Sequence, residues 1–492
     1  MFEVAELTHQ ISDQDYAEPI VALRTELLMV QQQLKTLDFP VLILISGVDG
    51  GGKGELIHAL NEWLDARYMH TEAFDQPSDE EQERPKFWRF IRALPPKGQI
   101  GIFVGSWYSE PISKRVSGHL KDGAFERALN DINALEKLLT DDGGLIIKCW
   151  LHLKKSIQKK RLKALAANPD TQWQVTHKDA HHIKHYDDFI DTAEAVLTRT
   201  STVHSPWLIV DGSDGNYARL TVGQHILNRI HRHIQQRARQ QTLPEAAEPD
   251  LNLYQQSLLD ALDLSLSLKK SDYQDKLAFY QTQLGQLSRK AKARQHSILL
   301  VFEGWDAAGK GGAIRRLTYA MDPRLYRVIP IAAPTDEERA QHYLWRFWRH
   351  LPRAGKMTIY DRSWYGRVLV ERVEKLASNE EWQRAYAEIV DFERALTDHG
   401  ITILKFWLHI DKDEQLKRFQ AREKIPYKQF KITDEDYRNR DKWDDYKAAV
   451  NEMIARTSTH SAPWIMVEGN DKRHARIKVL ETVCAALTRQ LG

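Results

Sequence analysis

The sequence predicts an α/β fold built twice in tandem, and three observations carry that prediction. Short apolar runs alternate with helical stretches, two of the runs lead into glycine-rich turns, and the pattern recurs after a constant offset of 257 residues, the separation of Lys53 from Lys310. A length of 492 residues suits two medium domains, each able to bury its own core.

Residues 42–45 and 297–302 are apolar and pass through glycine into helical sequence, as a buried strand feeding a phosphate-type turn would. In the second half, runs at 327–331, 357–360, 402–409 and 464–467 supply four more strands, and stretches such as 380–397 supply the helices between them. Five short strands separated by helices predict a parallel sheet with helices on both faces. Ligands of such sheets sit at the carboxyl ends of the strands, where both glycine-rich turns fall.

The repeat organises the rest. Gly47-Val48-Asp49-Gly50-Gly51-Gly52-Lys53-Gly54 matches Gly304-Trp305-Asp306-Ala307-Ala308-Gly309-Lys310-Gly311. The same offset pairs Trp88-Arg89-Phe90 with Trp345-Arg346-Phe347, Ser106-Trp107-Tyr108 with Ser363-Trp364-Tyr365, and Trp150-Leu151-His152 with Trp407-Leu408-His409. No insertion or deletion intervenes, so two copies of one domain are expected, at residues 1–240 and 258–492. Residues 235–256 are Gln/Ala/Glu-rich with two prolines, and the segment 241–257 is expected to be a linker.

Composition narrows the function classes. Hydrophobic residues make up 42% and charged residues 28%, ordinary for a soluble protein, and no apolar run approaches the roughly 20 residues of a spanning helix. The opening MFEVAELTHQISDQDYAEP is acidic and mixed, unlike a signal peptide, so a cytoplasmic location and no membrane partner are expected. Cys149 and Cys484 lie in different halves within apolar contexts, which argues against a disulfide framework or zinc site. A formal net charge of +2 gives no reason to expect a nucleic-acid partner, so recognition of anions must be local.

Gly304-x-x-x-x-Gly309-Lys310 has P-loop spacing, in which backbone N–H groups encircle a phosphate and the lysine adds a mobile positive charge. The Ser or Thr that normally follows the lysine and helps to hold Mg2+ is Gly311 here and Gly54 in the first copy, so the metal needs other oxygens. Asp306, within the loop, and Asp361, ending the run 357–360, are placed to offer them. Arg346 and Arg349 are three apart and share a helical face, Arg362 and Arg367 flank the proposed metal, and Lys417, Arg418, Arg422, Lys424, Lys428 and Lys431 form a dense basic stretch suited to a lid. Cations on both sides of such a loop suit a long polyanion better than one nucleotide. The tryptophans nearby read as core packing, and His409, at a strand end, as structural.

With GWDAAGKGG and YDRSWYGR in view, the chain resembles the polyphosphate kinase 2 family over 272–469 and, with losses, over 15–214. Two fused copies look like that family's polyphosphate:AMP phosphotransferase class, which implies two tandem P-loop kinase-like domains, each with a helical lid. The resemblance implies Mg2+-dependent transfer of a terminal phosphoryl group from inorganic polyphosphate to AMP, with GMP a further candidate acceptor, and assembly as a homodimer. Carried over by motif, Asp306, Lys310, Asp361 and Arg362 are catalytic and Asp306 and Asp361 hold the metal. Gly304, Gly309, Gly311, Arg346, Arg349, Arg367, Lys417, Arg418 and Arg422 bind substrate. In the first copy Tyr360-Asp361-Arg362 becomes Phe103-Val104-Gly105 and Gly366-Arg367 becomes Ser109-Glu110, so that copy is expected to be inactive, a structural or polyphosphate-holding partner. Two alternatives stay open: an ATP-dependent nucleoside monophosphate kinase, and a non-catalytic polyphosphate-binding protein.

Overall fold

The computed structural model describes residues 1–172, 184–240, 258–424 and 434–492. The expected linker, 241–257, and Lys428 and Lys431 of the basic stretch lie outside the described residues. Residues 235–240 are not linker: they finish the helix Gly215–Gln240. Backbone contacts divide the chain into two compact units. The first holds Met1–Pro77, Arg89–Pro244 and Asp336–His342; the second holds Ser78–Trp88, Glu245–Thr335 and Tyr343–Gly492. Each unit thus includes one short stretch from the other sequence repeat.

In the first unit the strands are β1 (Val41–Gly47), β2 (Met69–Ala73), β3 (Ile100–Val104), β4 (Leu145–His152) and β5 (Trp207–Asp211), all parallel, in the order β2-β3-β1-β4-β5. The second repeats this with β6 (Ile298–Gly304), β7 (Tyr326–Pro330), β8 (Met357–Asp361), β9 (Thr402–His409) and β10 (Trp464–Glu468), in the order β10-β9-β6-β8-β7. The central strand β6, Ile-Leu-Leu-Val-Phe-Glu-Gly, is buried up to its final glycine, as expected of a strand covered on both faces. Its register sets Phe302 beside Asp361 of β8 and Phe406 of β9, so the turn after β6 emerges between the ends of β8 and β9. Gly304 is required there: its φ is +144°, and a Cβ would lie 2.4 Å from the Leu408 carbonyl oxygen.

Both units bury the same polar network. Lys405 Nζ donates to Glu393 Oε2 at 2.7 Å, to Tyr365 OH at 2.8 Å and to the Thr457 carbonyl at 2.8 Å. In the first unit Lys148 donates to Glu136 Oε2 at 2.7 Å, Tyr108 OH at 3.0 Å and the Thr200 carbonyl at 2.7 Å. Burial pushes the Lys405 ammonium down and the Glu393 carboxyl up, while their mutual attraction opposes both shifts. The Ser-Trp-Tyr motif common to the repeats therefore serves the core, since Trp364 Nε1 and Tyr365 OH both donate to Glu393 Oε1.

The units differ in how they fill the end of the sheet. In the first, Phe2 stacks on His152 with ring centroids 4.5 Å apart, and the loop residue beside β1 is the buried Val48. In the second, the counterpart of Phe2 is the buried Leu259 and that of Val48 is Trp305, which stacks on Trp443 at 3.8 Å and donates from Nε1 to His409 Nδ1 at 3.0 Å.

Removing one member of the buried pair should cost more than removing both. Glu393→Ala is expected to destabilise the second unit by about 3–5 kcal/mol by leaving an unpaired buried ammonium, whereas Glu393→Leu with Lys405→Met should cost clearly less. Urea unfolding followed by tryptophan fluorescence measures both.

Candidate active site

A loop that turns its N–H groups inward on a phosphate must turn its carbonyls outward, and buried carbonyls need donors. The structure supplies them from the helix Lys412–Glu423. Arg418 is 4% exposed, and its guanidinium donates to the carbonyls of Ala307 (3.0 Å), Ala308 (2.9 Å), Gly469 (2.6 Å) and Asn470 (2.9 Å). Gln415 Nε2 donates to the Asp306 carbonyl at 3.2 Å. The first unit does the same with Arg161, on Gly50, Gly212 and Ser213, and with Gln158 on Asp49. Arg418 lines the site, but these bonds make it a clamp on the loop rather than the mobile lid cation that the basic stretch implied.

On the inner side Gly309, with φ +115°, precedes the helix Lys310–Tyr319, whose N-terminus faces the site. Lys310 Nζ rests on the Gly304 carbonyl at 2.7 Å and the Trp305 carbonyl at 3.4 Å, within the loop it would leave to meet an anion. Asp306 accepts from Arg362 Nη2 at 3.1 Å through one oxygen and from Asn439 Nδ2 at 3.0 Å through the other. Burial opposes its ionisation, but Lys310 and Arg362 outweigh that and hold its carboxyl below the usual carboxylate value.

These groups line one cavity of about 610 Å³. Asp306, Gly309, Lys310, Gly311, Asp361, Arg362, Arg418 and Arg422 of the predicted site are all in its wall. Lys310 and Asp361 therefore share the space that a phosphoryl-transfer site needs. Arg315, Asp436, Asn439, Lys472 and Arg476 join them and were not foreseen from sequence. The repeat held a signal for two of the basic ones: Arg315 and Lys472 face His58 and Gly215 in the first copy, the same kind of loss that singled out Asp361 and Arg362.

Five predicted residues lie elsewhere. Gly304 serves the close approach of β6 to β9, as above. Lys417 points to solvent, one residue round the helix from the buried Arg418. Arg367 pairs with Glu371 at 3.1 Å and Glu381 at 3.8 Å and covers the Tyr343 ring. Arg346 donates to the Ala332 carbonyl at 3.0 Å, and Arg349 lies over Trp345. The shared helical face of these two is a single turn, Trp345–Trp348.

The donor set fits a hard divalent ion. Among the described residues no group of three or more His, Cys, Asp or Glu could hold a metal unaided. Two carboxylates completed by phosphate oxygens and water are, however, the habit of Mg2+. At Gly311 an added Cβ would approach Asp361 Oδ2 to 4.0 Å, so the glycine leaves the space between helix start and carboxylate open. Cys149 and Cys484 are free and buried, with thiols pushed up to about 12 by burial, and contribute nothing here.

A five-stranded parallel sheet whose central strand opens into a clamped phosphate loop, with paired carboxylates and cations beyond it, defines a kinase-type P-loop phosphotransferase. The family profile Polyphosphate kinase 2 matches residues 10–238 and again 267–491, and the chain belongs to that family. It is 51% identical over 488 residues to a polyphosphate:AMP phosphotransferase of Pseudomonas aeruginosa, covering 99% of this chain and 98% of that one. It is 39% identical over 457 residues to a polyphosphate:AMP phosphotransferase of Acinetobacter johnsonii, covering 91% and 90%. The crystal structure of a polyphosphate kinase 2 from Pseudomonas aeruginosa PA01 superposes with a TM-score of 0.88 at 49% identity, covering 100% of this chain and 99% of that one.

His409, which accepts from Trp305 beneath the loop, gives the site a pH signature. Burial, reinforced by Lys447, pulls its imidazole from 6.5 down to about 4. The unfolded chain therefore binds the proton first, and stability present above pH 6.5 is lost as the pH falls towards 4. The loss is expected to reach about 3 kcal/mol between pH 7 and about pH 4, and to shrink in His409→Asn, read by urea unfolding across that range.

Proposed function

We propose that the second unit moves the terminal phosphoryl group of inorganic polyphosphate to AMP, giving ADP, with Mg2+ bound by Asp306 and Asp361. The observation that carries this reading is the single cavity in which the loop lysine, two carboxylates and a surplus of arginine and lysine side chains meet. Repeated phosphates need charge and no base readout, and seven basic side chains against three acidic ones provide it. An oxygen of the AMP phosphate attacks the terminal phosphorus, and the bond to the next phosphate breaks with its electron pair left on the shortened chain. The AMP phosphate is already ionised near neutral pH, so this step needs alignment and charge neutralisation rather than a strong base. In this reading the loop N–H groups and Lys310 hold the transferred group, Arg362 stabilises its growing charge, and Arg315, Arg422, Lys472 and Arg476 hold the neighbouring phosphates. A divalent ion on the two aspartates would offset phosphate charge during the transfer.

The first repeat keeps Asp49 and Lys53, 4.0 Å apart, on a clamped loop, but has Val104, Gly105, Leu165 and Gly215 where the second has Asp361, Arg362, Arg422 and Lys472. We assign it a structural role. Among the described residues no helix is long and apolar enough to cross a membrane, and a cytoplasmic homodimer completes the proposal. Fractionation and light scattering test those two points.

Product analysis by 31P NMR, with polyphosphate or ATP as donor and AMP or GMP as acceptor, tests the reaction. Polyphosphate with AMP should give ADP, and ATP should not replace polyphosphate. Lys310→Ala and Asp361→Asn should each lower turnover by about 10²- to 10³-fold, while Lys53→Ala should leave it within about twofold. A fall with Lys53→Ala equal to that with Lys310→Ala would count against the division of labour between the repeats.

A further inference from the structure

A buried carboxylate stands immediately before the phosphate loop and has no part in the chemistry above. Glu303, the next-to-last residue of β6, is 5% exposed and accepts a hydrogen bond from Ser363 Oγ at 2.7 Å. Among the described residues it has no ion-pair partner, and a buried carboxylate without one is costly. Such a group is retained against its cost only where something depends on it.

The dependent feature is next to Ser363. Arg362 has a φ of +65°, in the left-handed region that disfavours any side chain with a Cβ. Two consecutive residues of β6 grip that turn: the Phe302 carbonyl accepts from Arg362 N at 3.0 Å, and Glu303 accepts from Ser363. Ser363 Oγ in turn accepts from Tyr365 N at 3.3 Å, starting the short helix Trp364–Val368. In this conformation the Arg362 guanidinium reaches Asp306 across the site at 3.1 Å.

The first repeat is a built-in control. Its turn has the same hand, φ +68°, but the residue is Gly105, for which that conformation is easy and which has nothing to aim. There Ser46 stands in place of Glu303, and the buried Ser106 hydroxyl has no hydrogen-bond partner among the described residues. The carboxylate is present where an arginine must be held left-handed and absent where glycine suffices.

We propose that Glu303 and Ser363 form a brace that keeps the Arg362 turn left-handed and so aims its guanidinium at the loop, making Glu303 a positioning residue for phosphoryl transfer. The inference rests on the reading that Arg362 serves that transfer. The test uses the full-length protein with polyphosphate, AMP and Mg2+. Glu303→Ala and Ser363→Ala should each lower kcat about 10- to 100-fold with both KM values within about twofold, and the double variant should lose no more than the worse single one. Glu303→Gln keeps an oxygen for Ser363 and should return kcat to within about fivefold of the native enzyme. Multiplying losses in the double variant, an effect confined to KM, or Glu303→Gln as impaired as Glu303→Ala would each overturn the brace. A second readout does not involve turnover: Ser363→Ala should lower Tm less in an Arg362→Gly background than in the native one, and equal shifts would contradict the proposal. Lys310→Ala serves as the reference. Native turnover in that variant removes the site assignment and the brace together, whereas an inactive Lys310→Ala beside a Ser363→Ala of native kcat removes the brace alone.

Discussion

Everything at the candidate site depends on where the carbonyls of one loop point. Backbone amides can converge on a phosphate only if the oxygens of the same peptide groups diverge from it, here into a buried layer. Arg418 and Gln415 meet them there, as Arg161 and Gln158 do in the first unit. An arginine suits this task because its planar fork can reach several acceptors at fixed angles, which a lysine cannot. Asp306 takes its position from the peptide that Gln415 holds, Arg362 reaches Asp306, and Asn439 closes on its other oxygen.

The two repeats separate architecture from chemistry. What they share is backbone direction and core: the sheet order, the clamped loop, the positive φ of Gly47 and Gly304, and the buried lysine–glutamate pair. What they do not share is charge at the sheet's open end, where Asp361, Arg362 and Lys472 face Val104, Gly105 and Gly215. A fold tolerates such losses because those side chains line the wall of a cavity and do not fill the core.

The same division governs what was legible in the sequence. Strands β6, β8 and β9 were visible because a strand buried on both faces has to be a short apolar run, and the phosphate loop because its glycines answer a backbone need that no other residue meets. Asp361 was visible because a strand end fixes where its side chain emerges. The basic stretch was misread in part: neighbours on a helix point about 100° apart, so Lys417 and Arg418 cannot do the same thing, and only packing decides which turns inward. Arg346, Arg349 and Arg367 sit close to the site in sequence, yet their partners, Ala332 O, the Trp345 ring and Glu371, lie outside the cavity. Lys472 and Arg476 were missed because they arrive on the last helix, far along the chain from any motif. Glu303 was hidden for a different reason, since a carboxylate in an apolar run reads as a strand edge until its partner across the sheet is known.

The contrasting fillings of the sheet end also bear on how the halves have stayed different. In the first half Phe2 packs against Trp150 and His152, and in the second the loop's own Trp305 packs against their counterparts, Trp407 and His409. Gene conversion copies one stretch of a duplicated gene over its twin and tends to erase divergence. Here a tract carrying the loop alone would bring an indole to the Trp150 and His152 rings that Phe2 already covers, or take Trp305 away from Trp407 and His409. Different aromatic packing at the sheet end of each half thus acts as a barrier to homogenisation of the two.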